Sequence, residues 1–438
     1  MALVSRSETR LCYLQIVGNK VLAGFIALPF ALRMVIVLVA ALVAARFINW
    51  AVVHWAYYKC PRGPWFPPPA GYPARQSRDH WPIVGWHHLR REAPALGKWF
   101  WLRPLLIELL FPVAIGWYYQ FYISGGALGL GQAAQAVLQT ELHYQFAGHF
   151  VLFVLMMIAT FIDFDEQSIP DYVTIPGTVL GLLGAALAPV WLPFHQAPLS
   201  LVELHANIPD TWPASLHGPW GLAIGLLILT VWGFALLDRR WIGRRGPVKG
   251  VQFFLARMFR HAWLWKVVLA VTLLLAVGVW AAWTSQWPAG RWPYLLSSLM
   301  GLAFAGGVTW GVRLSASWGL RVEALGFGDV TLMAMIGTYV GWQPSLLVFF
   351  LAPLVAIVFV LIRWMITGDA ATPYGPYLCA ATVLVLVFWD ALWIKWAAGM
   401  FDLGAAVIVG IVVSCVVLMG AMLWIWRLIK EALGIAGH

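Results

Sequence analysis

Apolar stretches alternate with short polar ones along the 438 residues of the chain, in a rhythm too long for strands and too apolar for surface helices. Runs of about 20 apolar residues, the length a helix needs to cross the hydrocarbon core of a bilayer, begin near Arg33, Pro104, Tyr144, Thr174, Pro219, Lys266, Pro293, Val330, Pro344, Pro376 and Gly404. The pattern therefore predicts an all-α polytopic membrane protein with about eleven transmembrane helices. The stretch from Lys59 to Arg103 breaks the rhythm. It is proline-rich between Pro64 and Pro73 and too long for a simple connector, which predicts a small folded loop subdomain. No internal repeat or low-complexity tract stands out.

Composition agrees with this reading and excludes a soluble protein. Apolar residues make up 62% of the chain and charged ones 11%, with a mean hydropathy of +0.80, and so few charges cannot cover a soluble core of this size. The net charge is +10, but the basic residues cluster between apolar runs, which is a topology signal and not a nucleic-acid footprint. Arg6, Arg10 and Lys20 precede the first apolar run and no small-residue cleavage site comes after it, so that run is expected to be a retained anchor. Cys12, Cys60, Cys379 and Cys415 are scattered and imply no disulfide framework.

The loops set an orientation. Lys59, Arg62, Arg75, Arg78, Arg90, Arg91, Lys98 and Arg103 oppose only Asp79 and Glu92 between the first two runs, which places that loop in the cytoplasm. Alternating from there, the loop holding Glu203 and Asp210 falls outside. The basic stretch Arg239, Arg240, Arg244, Arg245, Lys249, Arg257 and Arg260 returns to the cytoplasm, as do Arg427 and Lys430. The same alternation puts Asp163 and Asp329 on the cytoplasmic side.

Those two acids lie in the stretches that carry chemistry. Asp163, Asp165, Glu166 and Asp171 are four acids in nine residues at the end of an apolar run. The plain reading is a solvated turn, with Pro170 and Asp171 opening the next helix. Glu323-Ala324-Leu325-Gly326-Phe327-Gly328-Asp329 joins two later runs, and its glycines are expected to allow a tight turn and the approach of a substrate strand to the acid. Taken together the stretches suggest more. Two carboxylates that share one proton can hydrolyse a peptide, one as base on a water and the other as acid to the carbonyl, and a helical bundle would hide them from lipid.

These residues resemble the bacterial type IV prepilin peptidases. Ile162-Asp163, five residues, Ile169-Pro170-Asp171 and then Val173-Thr174-Ile175-Pro176 resemble that family's first motif. Glu323 to Asp329, continued through Gly337 and Gly341-Trp342, resembles its Glu-Ala-x-Gly-x-Gly-Asp signature. Pro373-Tyr374-Gly375-Pro376 resembles its Pro-Phe-Gly-Pro segment, and Arg103-Pro104-Leu105-Leu106-Ile107-Glu108 its Arg-Tyr-Pro-x-x-Glu. Asp79, Pro82-Ile83 and Trp86 resemble the family's Asn-Ile-Pro and its continuation. The resemblance implies Asp163 and Asp329 as catalytic pair, with Gly326, Gly328, Pro170, Asp171 and Glu323 as supporting motif. It also implies an inner-membrane aspartic endopeptidase that cuts prepilin or pseudopilin leaders at the cytoplasmic face, serving type IV pilus or type II secretion systems. Asp165, Glu166, Asp171 and Glu323 are candidates to meet a basic leader.

Three departures qualify the match. The family's Lys two residues after the second Asp is Thr331 here, and the two aspartates are 166 residues apart. Bifunctional members carry two Cys-x-x-Cys pairs in the first loop and methylate the new N-terminus with S-adenosylmethionine, whereas only Cys60 stands in this loop. The spacing of Cys60, His80, His87 and His88 fits no usual zinc site, so no metal is expected and S-adenosylmethionine stays an open question.

The domain reading tracks the runs. Residues 1–57 hold the N-terminal segment and first helix, 58–104 the loop subdomain, and 105–184 the helices with Asp163. Residues 185–292 read as an inserted helical hairpin, 293–400 as helices with Gly-x-Gly-Asp, and 401–438 as an extra final helix. The competing reading from another class is a transporter or channel using Asp163 and Asp329 as proton or ion sites. A catalytically dead relative is a further alternative. A presenilin-like protease would need Pro-Ala-Leu, where Ala352-Pro353-Leu354 stands instead, and a metalloprotease would need His-Glu-x-x-His, which is absent.

Overall fold

The computed structural model describes residues 20–58, 61–187, 192, 194–197, 200–203, 214–236, 262–284, 291–367 and 372–433. Each of the eleven apolar runs forms a helix: α1 Phe30–Trp55, α2 Leu102–Ile123, α3 Gln139–Glu166, α4 Asp171–Leu187, α5 Pro219–Leu236, α6 Ala262–Thr284, α7 Arg291–Leu320, α8 Phe327–Val340, α9 Trp342–Thr367, α10 Gly375–Val387 and α11 Ala405–Ala432. Eight of them are long and apolar enough to cross a membrane, and α10 forms a ninth span only together with Asp390–Leu403, to which it is bent by 79°. The chain is an all-α polytopic membrane protein. The expectation of about eleven full crossings counts two helices too many in length: α4 and α8 have 17 and 14 residues. At 1.5 Å per residue they reach roughly 25 and 21 Å, short of a hydrocarbon core of about 30 Å. Both begin beside one of the singled-out acids. A small antiparallel hairpin, Phe194–Ala197 with Ser200–Glu203, comes after α4. The basic stretch Arg239 to Arg260, and Lys59, Cys60 and Cys12, lie outside the described residues.

The short helix α8 is the centre of the bundle. Every residue from Asp329 to Val340 is buried, because α7, α4, α9, α10 and α3 all pack against it. The closest approach is on α7, where Gly301 and Gly337 face one another so tightly that a methyl on either would strike the other's carbonyl. Without a hydrophobic driving force between helices in lipid, such small-residue contacts supply the packing. Ser298 Oγ donates to Thr338 O at 2.8 Å across the same seam. On the other face Gly177 and Gly181 of α4 admit Met335 and Thr338, and the Tyr339 hydroxyl donates to Gly177 O at 3.0 Å. Helices α5 and α6 attach outside this core through Leu229, Trp232 and Val279 against Trp292, Leu295 and Leu299 of α7. They remain peripheral, with only 6% of the apolar window of α6 buried.

Residues 61–101 form a compact knot of short helical turns at Ser77–His80, Val84–Leu89 and Ala93–Leu96. Its core is ionic. Asp79, Glu92 and Glu108 are all 0% exposed. Glu92 pairs with Arg75, whose guanidinium also donates to Phe66 O at 3.0 Å and Gly63 O at 3.2 Å. Asp79 Oδ2 accepts from Arg91 at 2.6 Å and from Gln76 N at 2.9 Å. Glu108 of α2 accepts from Arg46 and Asn49 of α1, both at 3.1 Å, and from Trp86 Nε1 at 2.8 Å and Ile83 N at 2.6 Å. Arg46 lies 4.5 Å over the Trp65 ring, which adds a cation–π contact to the clamp. The knot is thereby bolted to α1 and α2.

Burial alone would raise the Asp79 carboxyl, but the Gln76 amide and the Arg91 guanidinium outweigh it and hold the group below the usual carboxylate range. A depressed folded value means that this contribution to stability is present above the unfolded carboxylate value and is lost as pH falls through the folded one. Unfolding detected by protease nicking within residues 61–101 should thus be independent of pH near neutrality and accelerate below about pH 4. Arg91→Ala, which strands a buried carboxylate, should destabilise the knot by about 3–5 kcal/mol at neutral pH, and an unchanged nicking rate would refute the ionic core.

Candidate active site

Helix α3 ends on the first acidic stretch. Gln167 adopts a left-handed conformation, with φ of 53°, and its N–H donates to Asp163 O at 2.8 Å, closing the helix. The chain then turns through buried Ile169 and Pro170 into α4, which starts at Asp171. Pro170 has no N–H to leave unsatisfied at this helix entry, and its carbonyl accepts from Val173 N at 3.0 Å. Asp163 is thus held on the last turn of a regular helix and faces inward, 4% exposed.

Asp329 sits in the first turn of α8 and is 8% exposed. Both acids flank Ile169: Gly375 lies against both Asp163 and Ile169, and Gly328, next to Asp329, lies against Ile169. The backbone N–H of Gly375, at the start of α10, donates to Asp163 Oδ2 at 3.1 Å. A β-carbon at Gly375 would lie 2.6 Å from that oxygen and 2.8 Å from Ile169 Cδ1, so only glycine lets the amide reach the acid. Residues 321–324 and Gly326 are exposed, which leaves the approach to Asp329 open on that side.

The glycines before Asp329 form their turn without a left-handed conformation. Gly326 is extended, with φ of −67° and ψ of 151°, and neither it nor Gly328 has a positive φ. Gly328 instead packs on the other motif: a methyl there would lie 3.0 Å from Ile169 Cβ and 3.2 Å from Ile169 N. Two turns distant in sequence need this lack of bulk to nest. Thr331, where the family has lysine, donates its hydroxyl to Gly328 O at 3.0 Å and brings no charge to the pair.

Three of the remaining acids are already engaged within the chain. Asp165 forms a two-pronged pair with Arg103, at 2.6 and 2.7 Å. Glu166 accepts from the backbone amides of Tyr57 and Tyr58 at 2.9 and 2.7 Å. Glu323 accepts from Arg313 at 2.6 Å, while Arg313 also donates to Leu325 O at 2.9 Å and lies over the Phe327 ring. Glu323 therefore braces the turn that carries Asp329. Asp171 lies exposed at the entry to α4. Among the described residues no group of three or more His, Cys, Asp or Glu side chains is arranged to hold a metal.

Sequence reasoning assigned Gly375 and Tyr374 no individual role. The Tyr374 phenol stands near the pair, and burial, reinforced by the Asp329 carboxylate, pushes it above its ordinary value. The signal was the segment Pro373 to Pro376, whose match to a family motif marks it as special without saying which atom acts.

Comparison with known proteins adds to this geometry. Residues 259–362, which include Asp329 but not Asp163, match the model of the type IV leader peptidase family. Over this segment the chain is similar to that family. It is 29% identical over 191 residues, 42% of this chain and 57% of the relative, to the type 4 prepilin-like proteins leader peptide-processing enzyme of an Escherichia coli strain. It is 32% identical over 78 residues to the prepilin leader peptidase/N-methyltransferase of Legionella pneumophila, and 37% identical over 73 residues to that of Pseudomonas aeruginosa. These last two alignments span 17% and 16% of this chain, and 27% and 25% of the relatives. The chain thus spans between a quarter and somewhat over half of the length of these leader peptidases. No solved structure matches it.

Gly375→Ala tests the placement of Asp163. The added methyl must push the carboxylate or α10 aside, so cleavage of a prepilin-like peptide by the purified protein should fall at least tenfold, a loss of about 1.4 kcal/mol or more in the barrier. Thermal stability should change far less. Unaltered cleavage would show that the Gly375 amide does not hold a working carboxylate.

Proposed function

We propose that the chain is a membrane-embedded aspartyl endopeptidase that removes the leader of prepilin or pseudopilin-like proteins at the cytoplasmic face of the inner membrane. What supports the proposal is that Asp163 and Asp329, from helices far apart in sequence, are both buried around Ile169 beside an exposed turn. The leader-peptidase names of the relatives support the substrate class.

The chemistry rests on the pair. With one proton shared between the two carboxyls, the ionised member takes a proton from a water as that water attacks the scissile carbonyl. The protonated member gives its proton to the carbonyl oxygen. The tetrahedral species then collapses, the amide nitrogen gains a proton from the pair, and the carbon–nitrogen bond breaks. Gly375 N–H keeps Asp163 in place throughout. The short α4 and α8 bear on access, since helices that do not fill the hydrocarbon thickness let water and the end of a substrate helix reach acids below the surface.

Methyl transfer finds less support. The only acids between residues 58 and 104 are Asp79 and Glu92, and both are fully buried and paired with arginines. The knot therefore offers no outward carboxylate to receive the ribose hydroxyls or the sulfonium of S-adenosylmethionine, and no step is assigned to that cofactor. Labelled S-adenosylmethionine incubated with the purified protein and a cleaved peptide should give no labelled N-terminus.

The transporter reading draws on the bent pair formed by α10 and Asp390–Leu403, since broken helices often line ion paths. At that bend, however, Asp390 is engaged by Lys395 at 2.5 Å.

Asp163→Asn and Asp329→Asn should each abolish peptide cleavage while leaving the protein folded and inserted. The double variant should be no worse than either single one, because the two act as a unit. Asp171→Asn should retain most activity, since a helix-entry side chain is worth about 1 kcal/mol and Asn serves nearly as well there. Full cleavage by Asp329→Asn would end the peptidase reading.

A further inference from the structure

The end of the bundle away from the acid pair holds a charge that no described carboxylate neutralises. Arg33 lies on the first turn of α1, at the end opposite the knot, beside the last turn of α2 and the first of α3. Its Nη1 lies 3.3 Å from His143 Nε2. The His143 Nδ1 is 2.6 Å from Gln139 O, a carbonyl that can only accept, so Nδ1 carries the proton. Nε2 is then a lone pair accepting from the guanidinium, with the Tyr119 hydroxyl 3.0 Å away on the same nitrogen. The imidazole is neutral and cannot repel or replace the charge. No carboxylate forms an ion pair with Arg33 among the described residues; Glu141, in the same first turn of α3, has an oxygen that is itself buried without a partner. Arg33 Nε is likewise buried and unpartnered, leaving unused one edge of the fork that grips phosphates in a two-pronged manner.

Arg33 borders a cavity of about 600 Å³ whose lining also includes Gln120, Ser124, Gln135 and Gln139 together with apolar Phe30. The Gln120 amide and the second amide hydrogens of Gln135 and Gln139 can meet the oxygens of an anion, whereas the Ser124 hydroxyl already donates to Phe121 O at 2.9 Å. Immediately around Arg33 on α1, Leu32, Val35 and Ile36 are exposed and apolar, the surface against which acyl chains would lie. Polar donors at the helix end, a cation beneath them and a greasy wall running away from both match one amphiphile.

From these features we infer that the Arg33 cavity is a binding site for the phosphate headgroup of an anionic phospholipid, in the leaflet opposite the Asp163 and Asp329 pair. A phosphodiester accepts two hydrogen bonds from the guanidinium and further ones from Gln120 and Gln139, and its acyl chains descend along α1. The site is independent of the peptidase chemistry at the other end of the bundle.

The full chain, purified and loaded into phosphatidylcholine nanodiscs, would be titrated with phosphatidylglycerol and the bound lipid counted by native mass spectrometry. Wild type should retain phosphatidylglycerol in preference to phosphatidylcholine, and Arg33→Gln should weaken that retention by about tenfold or more, as expected for loss of charged hydrogen bonds. Gln120→Leu, which leaves the Arg33–His143 contact untouched, should weaken it several-fold even if Arg33→Gln fails to fold. Equal retention by wild type and both variants would overturn the site. Equal retention of the two lipids would overturn its anionic selectivity, and displacement of the lipid by inorganic phosphate would reassign the cavity to a small free anion.

Discussion

A carboxylate inside a helical bundle must be kept from lipid and must find donors, and both needs converge on the contact between Asp163 and the Gly375 amide. The amide can reach the acid only because position 375 has no side chain, and Asp329 can stand beside Asp163 only because Gly328 lets its turn nest on Ile169. Those two approaches fix where α8 and α10 begin. Once they are set, α8 must run through the middle of the bundle, and the Gly301 and Gly337 seam, with Gly177 and Gly181 opposite, results from the need to crowd helices around it. The peripheral α5 and α6 answer to none of this, which is why they attach by large apolar side chains instead.

The acids next to Asp163 extend the same logic outward. Asp165 and Glu166 tie the end of α3 to Arg103 at the start of α2 and to the backbone just after α1. The last turn of α3 is thereby held from two sides, and the Asp163 side chain inherits that rigidity. Glu108 of α2 does the equivalent for the knot by collecting donors from α1 and from residues 83–86. Where bifunctional family members have cysteine pairs in this loop, buried carboxylate–arginine pairs organise it here. Such pairs add little net stability compared with apolar packing, but they are severe about geometry, because a misplaced partner strands a buried charge.

Much of this was legible in the sequence. The eleven helices were readable because apolar runs of that length have no other structure open to them in a bilayer, and Asp163 and Asp329 stood out because each lay in a motif at a helix end. What the sequence could not show has a common physical form. A backbone hydrogen bond between residues 163 and 375, or a carboxylate satisfied by amides more than a hundred residues away, leaves no local pattern. For the same reason Asp165, Glu166 and Glu323 read as open to a basic substrate when they are braces. Helix length misled in a second way: α4 and α8 are as apolar as full spans, and their brevity shows only once Pro170 and Gly326 are seen to start them and Gly341, with φ of 79°, to end α8.

The replacement of the family's lysine by Thr331 removes a cation from beside the pair, and the fold indicates what stands in its place. Thr331 turns its hydroxyl back to Gly328 O, and Arg313 is occupied by Glu323 and Leu325 O, so neither brings positive charge to the acids. Two helix starts do. Asp329 lies in the first turn of α8, and Asp163 meets the first amide of α10. The N-terminus of a helix carries the equivalent of about half a positive charge, spread over unsatisfied amides, and two such ends aimed at one pair can hold a single shared negative charge. An arrangement built from backbone dipoles is indifferent to the residue at position 331 but depends on where α8 and α10 begin. That dependence gives Gly328 and Gly375 their place at these helix entries, where each lets a turn close on Ile169 or Asp163.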